Sequence, residues 1–405
     1  MSFIKTADKR FSQTVQIFIG LGLAVFVAWV LGDHKDWVIQ YIKPLGTIFL
    51  NLIKLLVVPV TLLATIRAIV SIKDLRTMKK LGVRTYIYAL VTNAEALLVG
   101  IVFGCLCKPF FPVFATSELS WQSKTVSFSE IFISAFPSNI ITPLSKMAIL
   151  PLVVIALLIG ISIRTAGKEA EFAERSVHSW YHVFMKSLGL VMMLAPIGVF
   201  GLFTPMLVTF GWSALSSLAV IFVGVYAAIV FQLFVFYPLV LKTLAGVSPV
   251  RLYKAYAPLM SFAFTTTSST AAIPINLDCA NKFGFPCEVS SYVVPLNNIV
   301  NKDGTELFIG FMLVFFSHVF GIELTVVNVL TLFFIQSLLE FTPGIPGGIL
   351  ISMSILLPVA GLPIEGIAIT AGVDKVFDMG RTTVNVMGYA VCTAVMSHSV
   401  NAAHD

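Results

Sequence analysis

The side chains best suited to binding chemistry lie in one apolar segment near the C-terminus, residues 367–396. Six of the polar residues in it, here called the polar stripe, are Asp374, Asp378, Arg381, Thr382, Asn385 and Tyr389. At about 100° per residue along an α-helix, all six lie on one face roughly 100° wide. Inside a bilayer, each charged side chain costs about 2.5–3.5 kcal/mol even on the most lenient scale. The charges of the stripe therefore need partners, which are either each other or a ligand.

Two interpretations of the polar stripe remain open at this point. Asp378 and Arg381 are i,i+3 neighbours and could form a purely structural ion pair. In the second interpretation they bind a zwitterion: the planar guanidinium of Arg381 takes a carboxylate, and Asp378 takes an ammonium group. Thr382 and Asn385 would complete the hydrogen bonds. An amino acid whose side chain carries its own carboxylate fits these groups best.

Residues 255–285 form the first of two broken apolar segments. A short apolar piece, Leu259–Phe264, is followed by six hydroxyl residues at 265–270, by Ala-Ala-Ile-Pro and by a second short piece. Two half-length helices that meet at a polar tip predict a re-entrant hairpin, which membranes tolerate only where protein or water covers the backbone. One kinked transmembrane helix rich in threonine and serine is the alternative.

Residues 326–362 repeat this design, with Glu-Phe-Thr-Pro-Gly-Ile-Pro-Gly-Gly, starting at Glu340, between two apolar runs. Asn301 and Asp303 follow the first hairpin, and the polar stripe follows the second. Since one helix crosses between the hairpins, the second one is expected to enter from the opposite side. Interrupted hydrophobic segments in an inverted repeat predict the midplane binding site of a transporter.

The composition indicates a membrane protein. Of 405 residues, 58% are apolar and 11% are charged, whereas a soluble domain has about 25% charged residues. Crossing a bilayer takes about 20 helical residues. The apolar runs of that length lie near 11–31, 45–70, 86–107, 147–163, 188–209, 215–241 and 305–322. Together with 367–396 they predict an all-α polytopic membrane protein with eight transmembrane helices plus two re-entrant hairpins.

The basic residues predict the orientation. They cluster at Lys5, Lys9 and Arg10, at Lys73, Arg76, Lys79, Lys80 and Arg84, at Arg164, Lys168 and Arg175, and at Lys242, Arg251 and Lys254. The loops at 32–41, 110–130 and 205–214 are poor in them, so the positive-inside rule places the N-terminus in the cytoplasm of an inner-membrane protein. This alternation disfavours a nucleic-acid partner despite the net charge of +6. We expect no cleavable signal peptide, and the five cysteines lack zinc-type spacing, so we expect no metal or other cofactor.

These residues resemble the dicarboxylate/amino acid:cation symporters, a family that includes glutamate and aspartate transporters. The motifs that carry the resemblance are Ser268-Ser269-Thr270 with Ile273-Pro274, Asn301-Lys302-Asp303-Gly304-Thr305, Gly344-Ile345-Pro346-Gly347-Gly348 and Asp378-Met379-Gly380-Arg381-Thr382-Thr383-Val384-Asn385. The last motif is specific to the amino-acid branch, because dicarboxylate members do not keep the acidic residue that binds the ammonium group. The resemblance covers nearly the whole chain.

The resemblance implies a homotrimer of elevator transporters surrounded by membrane lipid. A fixed scaffold would comprise residues 1–72 and 110–212, the latter with the trimer contacts. A mobile transport domain would comprise 73–109 and 213–405, in which the second hairpin is the outer gate. The family's substrate contacts map onto Ser268, Ser269, Thr305, Ile345, Gly347, Asp378, Arg381, Thr382 and Asn385.

The family is usually sodium-coupled, and its ion sites are altered in this chain. Thr92, Asn301, Asp303 and Asn385 match ligand positions of the family. Lys302 stands where the family has methionine, and Tyr389 stands where it has a final ion-binding acid. The first change adds a positive charge and the second removes a negative one, so both oppose a bound cation. Further candidates for ion coupling are Asp374, Glu306 and Glu340, and Glu95 in the third span is another uncommon membrane carboxylate.

We therefore expect the Lys302 ammonium group to occupy a place where other members bind sodium, so that transport does not require sodium. A lysine this deep in a helix needs a counter-charge, or it loses its proton; Asp303, Glu306 and Glu340 are the candidates. If Lys302 keeps its charge, the protein should be an exchanger or a uniporter. If it or an added glutamate titrates, protons should be the coupling ion. A lysine that lies in a wet crevice without a role is the alternative.

Other functions remain open from sequence alone. An intramembrane hydrolase would use a hydroxyl group of 265–270 or the aspartates, but no histidine lies within the motifs. An ion channel, a conventional sodium-coupled symporter, and carriers of neutral amino acids or C4-dicarboxylates are the others. Competition by aspartate, serine and succinate would separate the carriers.

Overall fold

The computed structural model of the chain describes residues 13–70, 79–111, 133, 136–145, 149–210, 213–339, 348–362 and 366–401. Throughout this part every regular element is a helix, as predicted. The helices are α1 (Gln13–Val30), α2 (Lys35–Tyr41), α3 (Lys43–Val70), α4 (Lys79–Cys107), α5 (Ile141–Ser145), α6 (Ile149–Ala166), α7 (Glu171–Met193), α8 (Ala195–Phe210), α9 (Ser213–Phe231), α10 (Tyr237–Leu244), α11 (Pro249–Thr266), α12 (Ile273–Phe283), α13 (Cys287–Val300), α14 (Asp303–Phe320), α15 (Val326–Leu339), α16 (Gly348–Val359) and α17 (Gly366–Asn401). A π-helical turn, Gln232–Phe236, joins α9 to α10.

Large apolar side chains cover the outside of several helices. Phe26 and Trp29 on α1, Leu98 and Leu106 on α4 and Val223 on α9 are each more than half exposed. Soluble proteins rarely expose contiguous apolar surface of this kind, whereas lipid tails solvate it. By length and composition, three helices of the described part are able to cross a membrane, or up to four if a bent pair counts as one span. The chain is a multi-pass membrane protein.

The structure differs in detail from two local expectations. The predicted span 188–209 is divided between α7 and α8, which meet at a bend of 52°. Pro196 lies in the first turn of α8, where it has no N–H to continue the hydrogen bonds of α7 and its ring crowds the preceding turn. The predicted loop 32–41 contains the short helix α2.

Two helical hairpins occupy the predicted positions. α11 and α12 pack against each other around a turn at 267–272, and α15 packs against α16. The first arm starts earlier than the predicted residue 255, because Ser248 is extended and Pro249 is pre-organised for the first helical position. The tip of the second hairpin, 340–347, lies outside the described residues, and so do the predicted site residues Glu340, Ile345 and Gly347.

Apart from α5, α15 and α16, the described helices pack in two groups. One contains α1, α2, α3, α6, α7 and α8, and the other contains α4, α9 to α14 and α17, with further contacts between α17 and α8. In the second group α4 and α14 cross closely. A Cβ on Gly100 would lie 2.0 Å from the Leu307 carbonyl oxygen, and one on Gly310 would lie 2.3 Å from that of Leu97. Small residues let membrane helices approach in this way, and the crossing holds the polar start of α14 against α4.

Candidate functional site

Arg381 is the centre of the polar stripe on α17 and is only 3% exposed. Its Nη2 donates to Asp374 Oδ1 at 2.6 Å and to Asp378 Oδ1 at 3.1 Å. All three residues lie on one helix face, two turns and one turn apart, so the carboxylates reach the same nitrogen. The stripe charges therefore partner each other, and the shorter bond goes to Asp374 rather than to the predicted Asp378.

The other guanidinium nitrogens of Arg381 have different surroundings. Nε and Nη1 are buried and have no hydrogen-bond partner among the described residues. The guanidinium carbon lies over the ring of Phe308 on α14, 4.8 Å from the ring centroid, in a cation–π contact. Arginine N–H groups match the geometry of a carboxylate. Arg381 is thus held on one side and able to bind an anionic group on the other.

Thr382 and Asn385 extend this face of α17. Thr382 Oγ1 is 3.4 Å from Asp378 Oδ1, which is a weak hydrogen bond. Asn385 Oδ1 accepts a bond of 2.8 Å from the backbone N–H of Gly304, in the first turn of α14, where N–H groups lack helical partners. A Cβ on Gly304 would lie 2.3 Å from the Arg381 carbonyl oxygen. The start of α14 is therefore docked onto the polar stripe.

The tip of the first hairpin presents the predicted hydroxyl groups. Thr267 ends α11 with a left-handed backbone (φ 53°), a conformation uncommon for threonine. Ser268 Oγ accepts a bond of 3.2 Å from the backbone N–H three residues later, and Ser269 is buried. Thr270 Oγ1 accepts a bond of 3.2 Å from Asn298 on α13. These bonds fix the shape of the tip and attach it to the helix that leads into α14.

The helix that was predicted to run through Lys302 is interrupted at Asn301 and Lys302, between α13 and α14. Asn93 on α4 bridges the break: its Nδ2 donates to the Val300 carbonyl at 3.0 Å, and its Oδ1 accepts from the Lys302 N–H at 2.9 Å. Backbone groups freed at membrane depth require such partners. The Thr305 N–H bonds back to the Lys302 carbonyl at 2.8 Å and starts α14. Because of the break, Lys302 immediately precedes the first residue of α14, and it is 9% exposed.

A second polar cluster lies beside this break. Asp303 Oδ2 accepts from the Tyr237 hydroxyl at 2.7 Å. Asn301 Nδ2 donates to Thr92 Oγ1 at 2.9 Å, while the buried Asn301 Oδ1 has no donor among the described residues. A Cβ on Gly388 of α17 would lie 2.8–3.0 Å from the Tyr237 hydroxyl, Asn301 Oδ1 and Asp303 Oδ2. Three oxygens thus converge on a position that glycine leaves open, and such hard oxygen ligands suit a cation.

Three of the residues predicted to alter the ion sites are also buried. Glu306 is one turn into α14, Lys302 immediately precedes that helix, and Tyr389 follows Gly388 on α17. Glu306 is 0% and Tyr389 is 1% exposed. These three residues therefore lie in the protein interior, on or beside the elements that carry the oxygen cluster.

Several residues of these clusters were not identified from sequence. Asn93 bridges the helix break, Tyr237 bonds Asp303, Phe308 covers Arg381, and Gly388 leaves space for three oxygens. Asn93 carried a usable signal, because a polar side chain inside an apolar membrane helix often marks a functional path. Phe308 and Gly388 are ordinary in an apolar segment and carried none.

Comparison with known proteins identifies the family. The model described as the sodium:dicarboxylate symporter family matches residues 14–399, which is nearly the whole chain. The chain belongs to the sodium:dicarboxylate symporter family. Among its relatives, the proton/sodium-glutamate symport protein of Bacillus caldotenax is 29% identical over 398 residues, covering 94% of this chain and 93% of that protein. The proton/glutamate-aspartate symporter of Escherichia coli K12 is 29% identical over 409 residues, covering 96% and 93%.

A third member of the sodium:dicarboxylate symporter family has a different named substrate. The C4-dicarboxylate transport protein of Bacillus subtilis is 26% identical over 398 residues, covering 96% of this chain and 93% of that protein. Family membership confirms the resemblance seen in the motifs and makes this chain a secondary transporter. The hydrolase interpretation is wrong, because the family and these relatives are transporters and not enzymes.

Proposed function

We propose that this chain is a secondary active transporter of acidic amino acids, aspartate or glutamate. The observation that carries the proposal is the buried guanidinium of Arg381, which has two nitrogens without a partner among the described residues and lies beside two carboxylates. A substrate carboxylate binds the free N–H groups of Arg381. The substrate ammonium group binds Asp378, whose side chain is more exposed than that of Asp374 (19% against 9%). Asp374 stays with Arg381 and balances its charge.

The main alternative is a C4-dicarboxylate substrate, for which one relative is named. Such a substrate carries no ammonium group, so the Asp378 carboxylate would face it without a positive partner. A like charge that close opposes binding in a site shielded from water. The presence of Asp378 beside Arg381 therefore favours an amino acid.

Transport proceeds without sodium in this proposal, because the Lys302 ammonium group takes the place of a sodium ion. Lys302 lies between Asn301 and Asp303, and its backbone is fixed by Asn93. Tyr389 brings a neutral phenol where the resemblance implies an acid. Both changes make the neighbourhood of the oxygen cluster less suitable for an added cation.

The proposed mechanism is an elevator within a homotrimer in the inner membrane, with eight transmembrane helices and a cytoplasmic N-terminus. The two packing groups support a division into a scaffold (1–72 and 110–212) and a transport domain (73–109 and 213–405). The two helical hairpins would then be re-entrant, and the second one, α15–α16, would be the outer gate.

Uptake into proteoliposomes tests the proposal. Purified protein is reconstituted with unlabelled aspartate inside, and entry of labelled aspartate is measured with sodium replaced by choline. We expect saturable exchange that aspartate inhibits strongly, and serine and succinate weakly. Exchange that strictly requires sodium would refute sodium independence, and stronger inhibition by succinate than by aspartate would refute the substrate class.

A further inference from the structure

Glu95 and Gln232 form a polar pair outside the substrate site and the oxygen cluster. Glu95 lies on α4, and its Oε2 accepts a bond of 2.8 Å from Gln232 Nε2. Gln232 is 0% exposed and opens the π-helical turn between α9 and α10. π-Helical turns occur frequently at functional sites. This hydrogen bond joins the two side chains to each other and not to the polar stripe, so substrate binding alone does not explain the pair.

Within the described part of the chain, no ion pair gives Glu95 a positive partner. A carboxylate within a membrane helix is costly unless it is paired or becomes neutral. A single bond from a neutral amide compensates little of that cost. The surroundings therefore favour Glu95 in its protonated, neutral form.

The side-chain oxygen of Gln232 also favours the protonated form of Glu95. Gln232 Oε1 is buried and has no hydrogen-bond partner among the described residues. A carboxylic acid and a primary amide are complementary: the acid carbonyl accepts from the amide N–H, and the acid O–H donates to the amide oxygen. One proton on Glu95 would therefore supply the donor that Gln232 Oε1 lacks. When that proton leaves, the Nε2 bond remains.

The pair is connected to the oxygen cluster through one short segment. Tyr237 directly follows the π-helical turn that Gln232 opens, and its hydroxyl donates to Asp303. Asp303 also acts electrostatically on Glu95. The Tyr253 hydroxyl, from the first hairpin, bonds the Leu233 carbonyl within the same turn. A change of charge at Glu95 therefore affects the start of α14 and the first hairpin.

Other titratable and charged groups lie on α4 and on the elements near it. They are Tyr88 on α4 itself, Tyr237 on α10, Lys302, Asp303 and Glu306 at the start of α14, and Arg381 and Tyr389 on α17. Glu95 is the one among the carboxylates of this set that is partly exposed, while Asp303 and Glu306 are fully buried. It is thus the carboxylate best placed to exchange a proton with its surroundings.

We propose that Glu95, paired with Gln232, is the proton-binding site of the transport cycle. Its carboxylate takes one proton on the side of higher proton activity, carries it across as the neutral acid together with the substrate, and releases it on the other side. This inference rests on the proposed function and names its coupling ion. Lys302 keeps its charge throughout.

Proteoliposomes with a pH-sensitive dye inside test the inference, in sodium-free buffer. For the unaltered protein we expect aspartate to cause acidification of the lumen, and an inward proton gradient to drive aspartate accumulation. In Glu95→Gln both should disappear, while exchange of labelled against unlabelled aspartate persists. The matched control is Glu323→Gln, an exposed residue after α14, which should acidify the lumen as the unaltered protein does.

The possible results separate the two proposals. If the unaltered protein exchanges no aspartate, the proposed function fails. If it exchanges aspartate but moves no protons, or if Glu95→Gln still acidifies the lumen, the proton site at Glu95 is overturned and the proposed function stands.

A second variant decides the case in which Glu95→Gln is inactive in every assay. Gln232→Glu keeps the shape but places two carboxyl groups together, so that one proton is held more tightly. The alkaline limit of uptake should then move upward by about one pH unit or more. An unchanged pH profile in this variant would overturn the inference.

Discussion

The substitution Asp378→Asn tests whether Asp378 binds the substrate ammonium group, because it should change this contact without disrupting the fold of the site. The substitution keeps the size of the side chain and an oxygen that accepts from Thr382. It does not strand the buried arginine, because Arg381 retains its 2.6 Å bond to Asp374. Folding should therefore survive, and the change should act on the substrate.

The magnitude follows from the contact that is lost. A hydrogen bond to a charged group contributes about 1.5–3 kcal/mol, and each 1.4 kcal/mol is about a tenfold change in affinity. Aspartate should therefore bind roughly 10–150-fold more weakly to Asp378→Asn. Succinate has no ammonium group and loses the repulsion of Asp378, so its binding should be unchanged or tighter.

The assay is inhibition of labelled aspartate exchange by unlabelled aspartate and by succinate. Asp278→Asn is the matched control: this aspartate is 58% exposed, and its ion pair with Lys282 on α12 is on the surface, where such pairs contribute little. The control should bind both compounds as the unaltered protein does. Equal weakening of aspartate and succinate in Asp378→Asn, or no weakening of aspartate, would refute the assignment of the ammonium group to Asp378.

Three further predictions concern the elements around the site. Lys302→Met combined with Tyr389→Asp removes a positive charge and adds a negative one, so uptake should become stimulated by sodium; equal uptake in sodium and choline would contradict this. Gly388→Ala would place a methyl group 2.8–3.0 Å from three oxygens, so we expect loss of transport and a lower Tm. The control Gly22→Ala, whose methyl group would meet nothing within 4 Å, should change neither transport nor Tm. Asn93→Leu leaves two backbone groups at the helix break unpaired, at about 1–3 kcal/mol each, so its Tm in detergent should fall; an unchanged Tm would show that the break does not depend on Asn93.

The parts of the fold that could be predicted depend on patterns within one segment. The polar stripe follows from helical periodicity, so the common face of Asp374, Asp378 and Arg381 was accessible from spacing alone. The hairpins follow from apolar runs interrupted by hydroxyl residues, glycine and proline. The division of 188–209 was missed because hydropathy averages over a window and does not register the effect of Pro196 on the helix axis.

The missed parts of the site depend on contacts between distant segments. Asn93 is far from Lys302 in sequence, and nothing in either segment indicates that one amide bridges the break between α13 and α14. The role of Gly388 depends on how closely Tyr237 and Asp303 approach α17. Side-chain spacing specifies the face of a helix, but the packing of the whole domain determines which groups that face meets.

Calorimetric titration of aspartate into the purified protein in sodium-free choline buffer tests the central claim most directly. The unaltered protein should bind aspartate at one saturable site, whereas Arg381→Lys, which keeps the charge but not the planar fork, should bind it far more weakly. Equal binding by the two proteins, or no binding by either, would contradict a substrate site at Arg381.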